Sequence, residues 1–216
     1  MDFKLPLIYP VTDAHLSGLT HAEQVERLAA GGATLVQLRE KVMPPRQFYE
    51  EALAARAVAS RHGIRLIIND RVDIALVVGA DGVHLGQHDM PAEAARMLLG
   101  PAVIIGLSTH SVEELSAAAG QPVDYLAYGP IFQTETKENA DPVVGIDGLR
   151  AARTAAGDRP LVAIGGIDGG SLEAVLRCGA DSAAMIGALV SDPDRIATRF
   201  AELVATARGI NVVGTG

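Results

Sequence analysis

Eight short apolar runs, rich in Val, Ile, Leu and Ala, recur along this chain, and their spacing limits its fold more than any other feature. They span 5–12, 33–40, 65–69, 82–86, 102–108, 125–130, 161–166 and 182–188. Runs of this length bounded by turn residues read as buried strands. Between them lie Ala-, Glu- and Arg-rich stretches with helical spacing at 22–30, 45–61, 91–99, 112–119, 146–155, 171–178 and 193–207, with a further helix beginning at Arg71. Thr20 and Ser111 stand where N-caps belong, and Pro91 and Pro193 suit a first helical turn. Gly31, Gly63, Gly120, Gly157 and Gly179 follow the helices as stops. Strands alternating with helices imply a parallel sheet with right-handed crossovers. For 216 residues the compact solution is a single-domain (β/α)8 TIM barrel over 1–208, with 209–216 as a flexible Gly-rich tail. A doubly wound open sheet is the alternative.

Composition removes several classes of function. Aromatic residues make up 4% and Trp is absent, so single-stranded nucleic acid lacks stacking platforms. A net charge of −8 disfavours nucleic acid and anionic membranes, leaving small molecules as the expected partners. The lone cysteine, Cys178, forms no internal disulfide and fits a reducing cytoplasm. No secretory leader pattern is seen at the N-terminus. No apolar run approaches the ~18 residues of a membrane span.

A barrel places function at the C-terminal ends of its strands, and the unusual polar residues cluster there. Gln37, Arg39 and Lys41 alternate along the second predicted strand, so they share one face with Leu38 opposite. Two cations at the end of an apolar strand need a partner, the simplest being a bound anion. The third strand ends in Asn69-Asp70, and Asp89 follows the fourth. Two carboxylates at one mouth, facing phosphates, suit Mg²⁺. The competing reading makes each Asp a helix cap. Ser108 ends the fifth strand as a candidate donor, while His110 reads as incidental. Thr134, Thr136 and Lys137 put two hydroxyls and a cation on the loop after the sixth strand, suited to oxyanion binding and to service as a lid. Glycines after strands seven and eight, Gly166 and Gly187 among them, let backbone N–H groups approach a phosphate. No Ser/His/Asp nucleophile set and no zinc spacing is found. The sum is a monophosphate pocket, a separate cationic cluster and a divalent metal: a bisubstrate site handling a diphosphate.

The blocks Val36-Gln37-Leu38-Arg39-Glu40-Lys41, Ile67-Ile68-Asn69-Asp70-Arg71, Gly82-Val83-His84-Leu85-Gly86-Gln87, Gly106-Leu107-Ser108-Thr109-His110, Gly129-Pro130-Ile131-Phe132 with Thr134-x-Thr136-Lys137, and Ala163-Ile164-Gly165-Gly166-Ile167 run in order along the chain. In this set the chain resembles the thiamin phosphate synthase (thiamine-phosphate pyrophosphorylase) family. The resemblance implies a transferase that joins a hydroxymethylpyrimidine diphosphate to a thiazole phosphate and releases pyrophosphate. It implies that Gln37, Arg39, Lys41 and Asn69 hold the pyrimidine diphosphate and that Asp70 and Asp89 ligate Mg²⁺. Ser108 and Lys137 would contact the leaving pyrophosphate, and Lys41, Arg39, Lys137 and Ser108 would carry catalysis. Thr134, Thr136, Gly166, Ile186 and Gly187 would hold the thiazole phosphate. The implied chemistry is dissociative, with pyrophosphate leaving before the thiazole nitrogen attacks, so no nucleophilic side chain is needed. Three positions depart from the family pattern: Gly187 replaces a usual Ser, Gln133 a common Pro, and His88 a frequent acidic residue. The related thiazole tautomerase, which carries His where this chain has Pro130, is the nearest competing reading. A non-catalytic thiamin-phosphate-binding protein and an unrelated phosphate-binding barrel compete less closely. A homodimer is compatible with the sequence but not readable from it.

Overall fold

The computed structural model describes residues 3–134 and 141–210. Eight strands, β1 (Ile8–Asp13), β2 (Leu35–Arg39), β3 (Arg65–Asn69), β4 (Gly82–Leu85), β5 (Ile104–Thr109), β6 (Tyr125–Tyr128), β7 (Leu161–Ile164) and β8 (Ser182–Met185), close into a barrel in sequence order. Every neighbouring pair is parallel, and β8 returns to β1 with Tyr9 opposite Ala184. The outer ring holds α1 (Ala14–Ser17), α2 (His21–Ala30), α3 (Pro45–His62), α4 (Val72–Val78), α5 (Ala92–Leu99), α6 (Val112–Ala118), α7 (Gly145–Ala156), α8 (Leu172–Arg177), α9 (Gly187–Val190) and α10 (Ile196–Gly209). The open-sheet alternative is thereby excluded.

The start signals work where their chemistry is complete. Thr20 accepts from the Glu23 N–H while Glu23 reaches back to the Thr20 N–H, a full capping box. Ser111 accepts from the Glu114 N–H. Pro91 stands before its helix rather than in the first turn, and Pro193 opens a short 3-10 turn ahead of α10. The one-turn helices α1 and α9 were not expected, because four residues are too few to show periodicity. Beyond Ile210 the expected tail lies outside the described residues.

Alternation along the strands divides the apolar residues into two layers. Leu38, Leu66, Ile68, Val83, Leu85, Ile105 and Leu126 join the helix-facing core. Tyr9, Val11, Leu35, Ile67, Ile104, Tyr125, Ala127, Val162 and Ala184 form a separate cluster inside the barrel. Tyr125 fits there because a glycine stands beside it. A Cβ on Gly106 would lie 2.1 Å from Tyr125 Cζ and 2.5 Å from His84 Nδ1.

The N-terminal face is tied by one device used three times. Asp81, Asp124 and Asp181 each precede an even-numbered strand. Each accepts, through Oδ2, the N–H of a residue at the start of the strand before it: Leu66 at 2.8 Å, Ile105 at 2.7 Å and Leu161 at 2.8 Å. The same oxygens receive Arg56 at 2.6 Å, Arg96 at 2.7 Å and Arg153 at 2.9 Å from the outer helices. Charge-assisted bonds therefore join helix, strand and next strand on the face that barrels reserve for stability.

Candidate active site

The ends of β1 and β2 set the cations. Gln37 points into the barrel and is 5% exposed, and its amide nitrogen donates to Tyr9 Oη at 3.1 Å. Arg39 donates to Asp13 Oδ2 at 2.8 Å, and Asp13 is itself fixed as the cap of α1, accepting the Leu16 N–H at 2.9 Å. Lys41 Nζ lies 2.5 Å from Asp70 Oδ2. Both cations of that strand end therefore have a carboxylate neighbour within the chain itself. Protein carboxylates offset the cost of placing both cations at the strand end. Between the two cations Glu40 turns back and accepts the N–H groups of Val42 at 2.7 Å and Met43 at 3.0 Å. Burial pushes its carboxyl up, but these bonds and nearby His21 outweigh it and hold it below its ordinary range. His21 is fully buried, hydrogen-bonds through Nδ1 to Thr12 Oγ1 at 2.7 Å and has Nε2 3.5 Å from Glu40 Oε2. Burial lowers its pKa despite that carboxylate.

The two candidate metal ligands meet. Asp70 has φ 61°, the one non-glycine residue with positive φ among the described residues. Such geometry tolerates Asp at some strain, and it turns the side chain off the strand into the mouth. Neither carboxylate caps a helix: the N-cap positions of α4 and α5 are Arg71 and Pro91, and neither helix has a side-chain cap. Asp89 Oδ2 instead accepts the Gly86 N–H at 2.6 Å. Burial raises the Asp89 pKa, the Gly86 bond opposes this, and the facing Asp70 raises it further. Two hard oxygen donors held against their mutual repulsion fit a divalent cation. Among the described residues no group of three or more His, Cys, Asp or Glu side chains is placed to hold a metal. Other ligands would have to be water or substrate oxygens.

Beneath this rim runs a buried polar chain. Tyr9 Oη lies 2.8 Å from Tyr125 Oη. Tyr125 Oη lies 2.9 Å from His84 Nδ1, and His84 Nε2 lies 2.8 Å from Ser108 Oγ. Burial pushes the His84 pKa down to about 4, so the ring is neutral. Ser108 is also tethered through its carbonyl, which accepts from Gln87 at 2.6 Å. Asn69, 7% exposed, ends β3 one residue before Asp70.

On the opposite rim the loop after β6 lies against that after β7. Ile131 N–H donates to Ile164 O at 2.9 Å and Phe132 N–H to Gly165 O at 3.0 Å. Gly165 and Gly166 have φ of 100° and 62°, and a Cβ on Gly166 would lie 2.4 Å from Gln133 O. Glycine is needed there for both backbone shape and space. Thr134 follows directly, while Thr136 and Lys137 lie outside the described residues. Ile186 precedes α9 and Gly187 begins it, so the N–H groups of Gly187 and Ala188 lack intrahelical acceptors, while those of Leu189 and Val190 donate to Ile186 O. His110, read as incidental, has Nδ1 3.2 Å from Glu114 Oε2 and Nε2 3.2 Å from Asp141 Oδ2.

Sequence reasoning passed over Asp13, Glu40, Tyr9, His84 and Tyr125 as site residues. A signal was present for Tyr9, His84 and Tyr125. Tyr9, Gln37, His84 and Ser108 all take inward positions of their strands, and inward polar groups in a closed barrel must find one another.

The sequence matches the family described as thiamine monophosphate synthase over residues 8–189. It is 48% identical over 200 residues to the thiamine-phosphate synthase of Albidiferax ferrireducens, covering 91% of each chain. It is also 48% identical over 188 residues to that of Chloroflexus aurantiacus, covering 87% of this chain and 86% of the relative. The fold is similar to the thiamine phosphate pyrophosphorylase structure from Pyrococcus furiosus, with TM-score 0.83, 36% identity and 96% of each chain covered.

Proposed function

The chain belongs to the thiamine monophosphate synthase family, and from that premise we propose how its barrel mouth performs the family's reaction. The activity is that of a thiamine-phosphate synthase, a transferase. The substrates in this reading are a hydroxymethylpyrimidine diphosphate and a thiazole phosphate, with pyrophosphate as leaving group. The observation that carries the assignment is the juxtaposition of Lys41 with the Asp70–Asp89 carboxylate pair on one rim. A diphosphate needs both elements, a cation and carboxylates able to hold its metal.

Gln37 and Asn69, inward at the ends of β2 and β3, hold the pyrimidine, and Arg39 and Lys41 hold its diphosphate. Asp13 keeps Arg39 extended toward the mouth. Asp70 and Asp89 would hold Mg²⁺. When bound, Mg²⁺ neutralises charge growing on the leaving pyrophosphate. Ser108 and Lys137 contribute hydrogen bonds to the same oxygens. Thr134, Thr136, Gly166 and the backbone at Ile186 and Gly187 hold the thiazole phosphate across the mouth, so the Gly187 replacement of Ser keeps an N–H donor. Bond breaking comes first and attack by the thiazole nitrogen second. The side chains then need only orient two substrates and favour the anion that departs.

We place the reaction in the cytoplasm, on the strength of the single unpaired Cys178. No helix among the described residues is long and apolar enough to cross a membrane. We also propose that two copies pair. Leu76 and Val77 on α4 and Met97 and Leu98 on α5, 52–86% exposed, are apolar surface a second copy would cover. Sedimentation at micromolar concentration, compared with a Val77→Glu, Met97→Glu variant, checks this.

The deciding assay mixes purified protein, both substrates and Mg²⁺, and follows pyrophosphate and thiamine phosphate together. One-to-one release that stops with EDTA and returns with Mg²⁺ is expected. Release unaffected by EDTA would remove the metal role of Asp70 and Asp89. No release from folded protein would favour a tautomerase or binding-only protein.

A further inference from the structure

The buried chain beneath the mouth links two residues assigned to opposite ends of one substrate. It runs Gln37–Tyr9–Tyr125–His84–Ser108, crossing the barrel from β2 to β5 through β1, β6 and β4. Tyr9 and Tyr125 are each 1% exposed, Gln37 5% and His84 6%. Bulk water therefore cannot complete their hydrogen bonding, and each group depends on the next.

Hydrogen counting leaves two polarities for such a chain. Each phenol has one proton to give, and the neutral imidazole has one N–H and one lone pair. A phenol oxygen can accept twice, but a buried phenol proton left unused is costly. Among the described residues the only acceptor beside Tyr9 Oη is Tyr125 Oη, so with every proton used the donor at one link fixes all the others. The Gln37 amide nitrogen faces Tyr9 Oη, so Gln37 donates. Tyr9 then gives its proton to Tyr125, and Tyr125 gives its own to His84 Nδ1. That nitrogen must be bare, so the ring carries its proton on Nε2 and donates to Ser108 Oγ. Ser108 accepts from below and keeps its own O–H for the mouth. At the other end Gln37 is left with its carbonyl oxygen as the group that faces a ligand.

We propose that Tyr9, Tyr125 and His84 are positioning residues that form a one-way hydrogen-bond chain, fixing Ser108 as a donor to the leaving diphosphate and Gln37 as an acceptor for an amine on the heterocycle. This rests on the functional reading above and deepens it. An anion accepts only donors. With the reversed polarity, Ser108 would give its proton to His84 and present a lone pair to the phosphate. Gly106 makes the arrangement possible, since any side chain there would occupy the space of the Tyr125–His84 bond.

The test uses the intact protein labelled with ¹⁵N-histidine. Two-bond ¹H–¹⁵N correlation spectra distinguish the two imidazole tautomers, and a His84→Gln variant identifies the His84 signals. The wild type should show the Nε2–H form without substrates. Tyr125→Phe keeps the ring but deletes the donor to Nδ1. It should move the His84 signals toward a mixture of tautomers and lower kcat about 5-fold, the scale of one net hydrogen bond. KM for the thiazole phosphate should not change. In a Ser108→Ala background the same substitution should cost less, leaving only the loss passed through Tyr9 to Gln37. Tyr9→Phe, one link farther away, should act in the same direction. An Nδ1–H ring in the wild type, or equal kcat losses for Tyr125→Phe with and without Ser108, would overturn the proposal. The spectrum needs no turnover. A wild type that makes no thiamine phosphate would defeat the functional reading while the polarity was still decided.

Discussion

Lys41 and Asp70 allow catalytic loss to be separated from structural loss. The pair closes at 2.5 Å, but the Lys41 side chain is 50% exposed and that of Asp70 21%. An ion pair this open to solvent contributes ~1 kcal/mol or less to folding. Lys41→Ala should therefore shift the unfolding free energy by no more than ~1 kcal/mol. Its effect on turnover should be much larger. If each group supplies ~3 kcal/mol to the separating charges, each single variant loses ~10²-fold in kcat. Asp70→Asn is the better partner variant, because the residue must keep φ 61° and Asn tolerates that region as Asp does. Independent contributions would put the double variant ~10⁴-fold down. Contacting groups couple by ~1–3 kcal/mol, so the double should fall only ~10²–10³-fold. Steady-state pyrophosphate release gives kcat, and urea unfolding run beside it gives stability. Fully additive losses, or activity losses matched by more than ~2 kcal/mol of lost stability, would refute the reasoning.

Two further predictions concern stability. Asp124→Ala strips the acceptor from the buried Ile105 N–H and one partner from Arg96. Arg96 keeps carbonyl contacts at Gly100, Val103 and Pro122, so the cost should be ~2–3 kcal/mol, mostly from the orphaned N–H. Asp124→Asn keeps an acceptor and should cost about half as much; equal costs in urea unfolding would contradict this. The second concerns acid. His84 binds its proton only near pH 4 when folded, against an ordinary value of 6.5, and burial lowers His21 in the same direction. The unfolded chain takes up these protons first, so stability should decline as pH falls from 6.5 toward about 4. A denaturation midpoint flat across that window, or a His84→Gln variant with an unchanged slope, would count against neutral buried rings.

The barrel was legible because strand and helix periods differ and each run ended in its own turn chemistry. Strand alternation also placed Gln37 and Arg39 on the face opposite Leu38 as expected, but β2 ends at Arg39 and Lys41 lies beyond it, and the ends of the third and fourth strands marked Asp70 and Asp89. What could not be read was pairing. Nothing in the local sequence of Arg39 names Asp13, 26 residues away, as its acceptor. Nothing near Tyr9 names Tyr125, 116 residues on. Closure of the barrel creates these contacts, and closure is not a property of any window of sequence. The same holds for Asp81, Asp124 and Asp181, which read locally as ordinary loop acids and become ties only when helix and two strands meet.

The two ends of the barrel use carboxylates in opposite ways. At the N-terminal face each Asp meets an arginine and a backbone N–H, so its charge is matched by donors that never leave. At the mouth Asp89 faces another carboxylate, and burial adds to that repulsion. Asp70 is held there by a backbone conformation that costs energy and by one half-exposed lysine. A protein selected only for stability would relieve both, by an amide at one position or a second arginine nearby. Their retention in an otherwise well-matched fold is the expected mark of a site whose charge balance is completed by what it binds. It also explains why residues of one chemical type stabilise one face and are stabilised by ligand at the other.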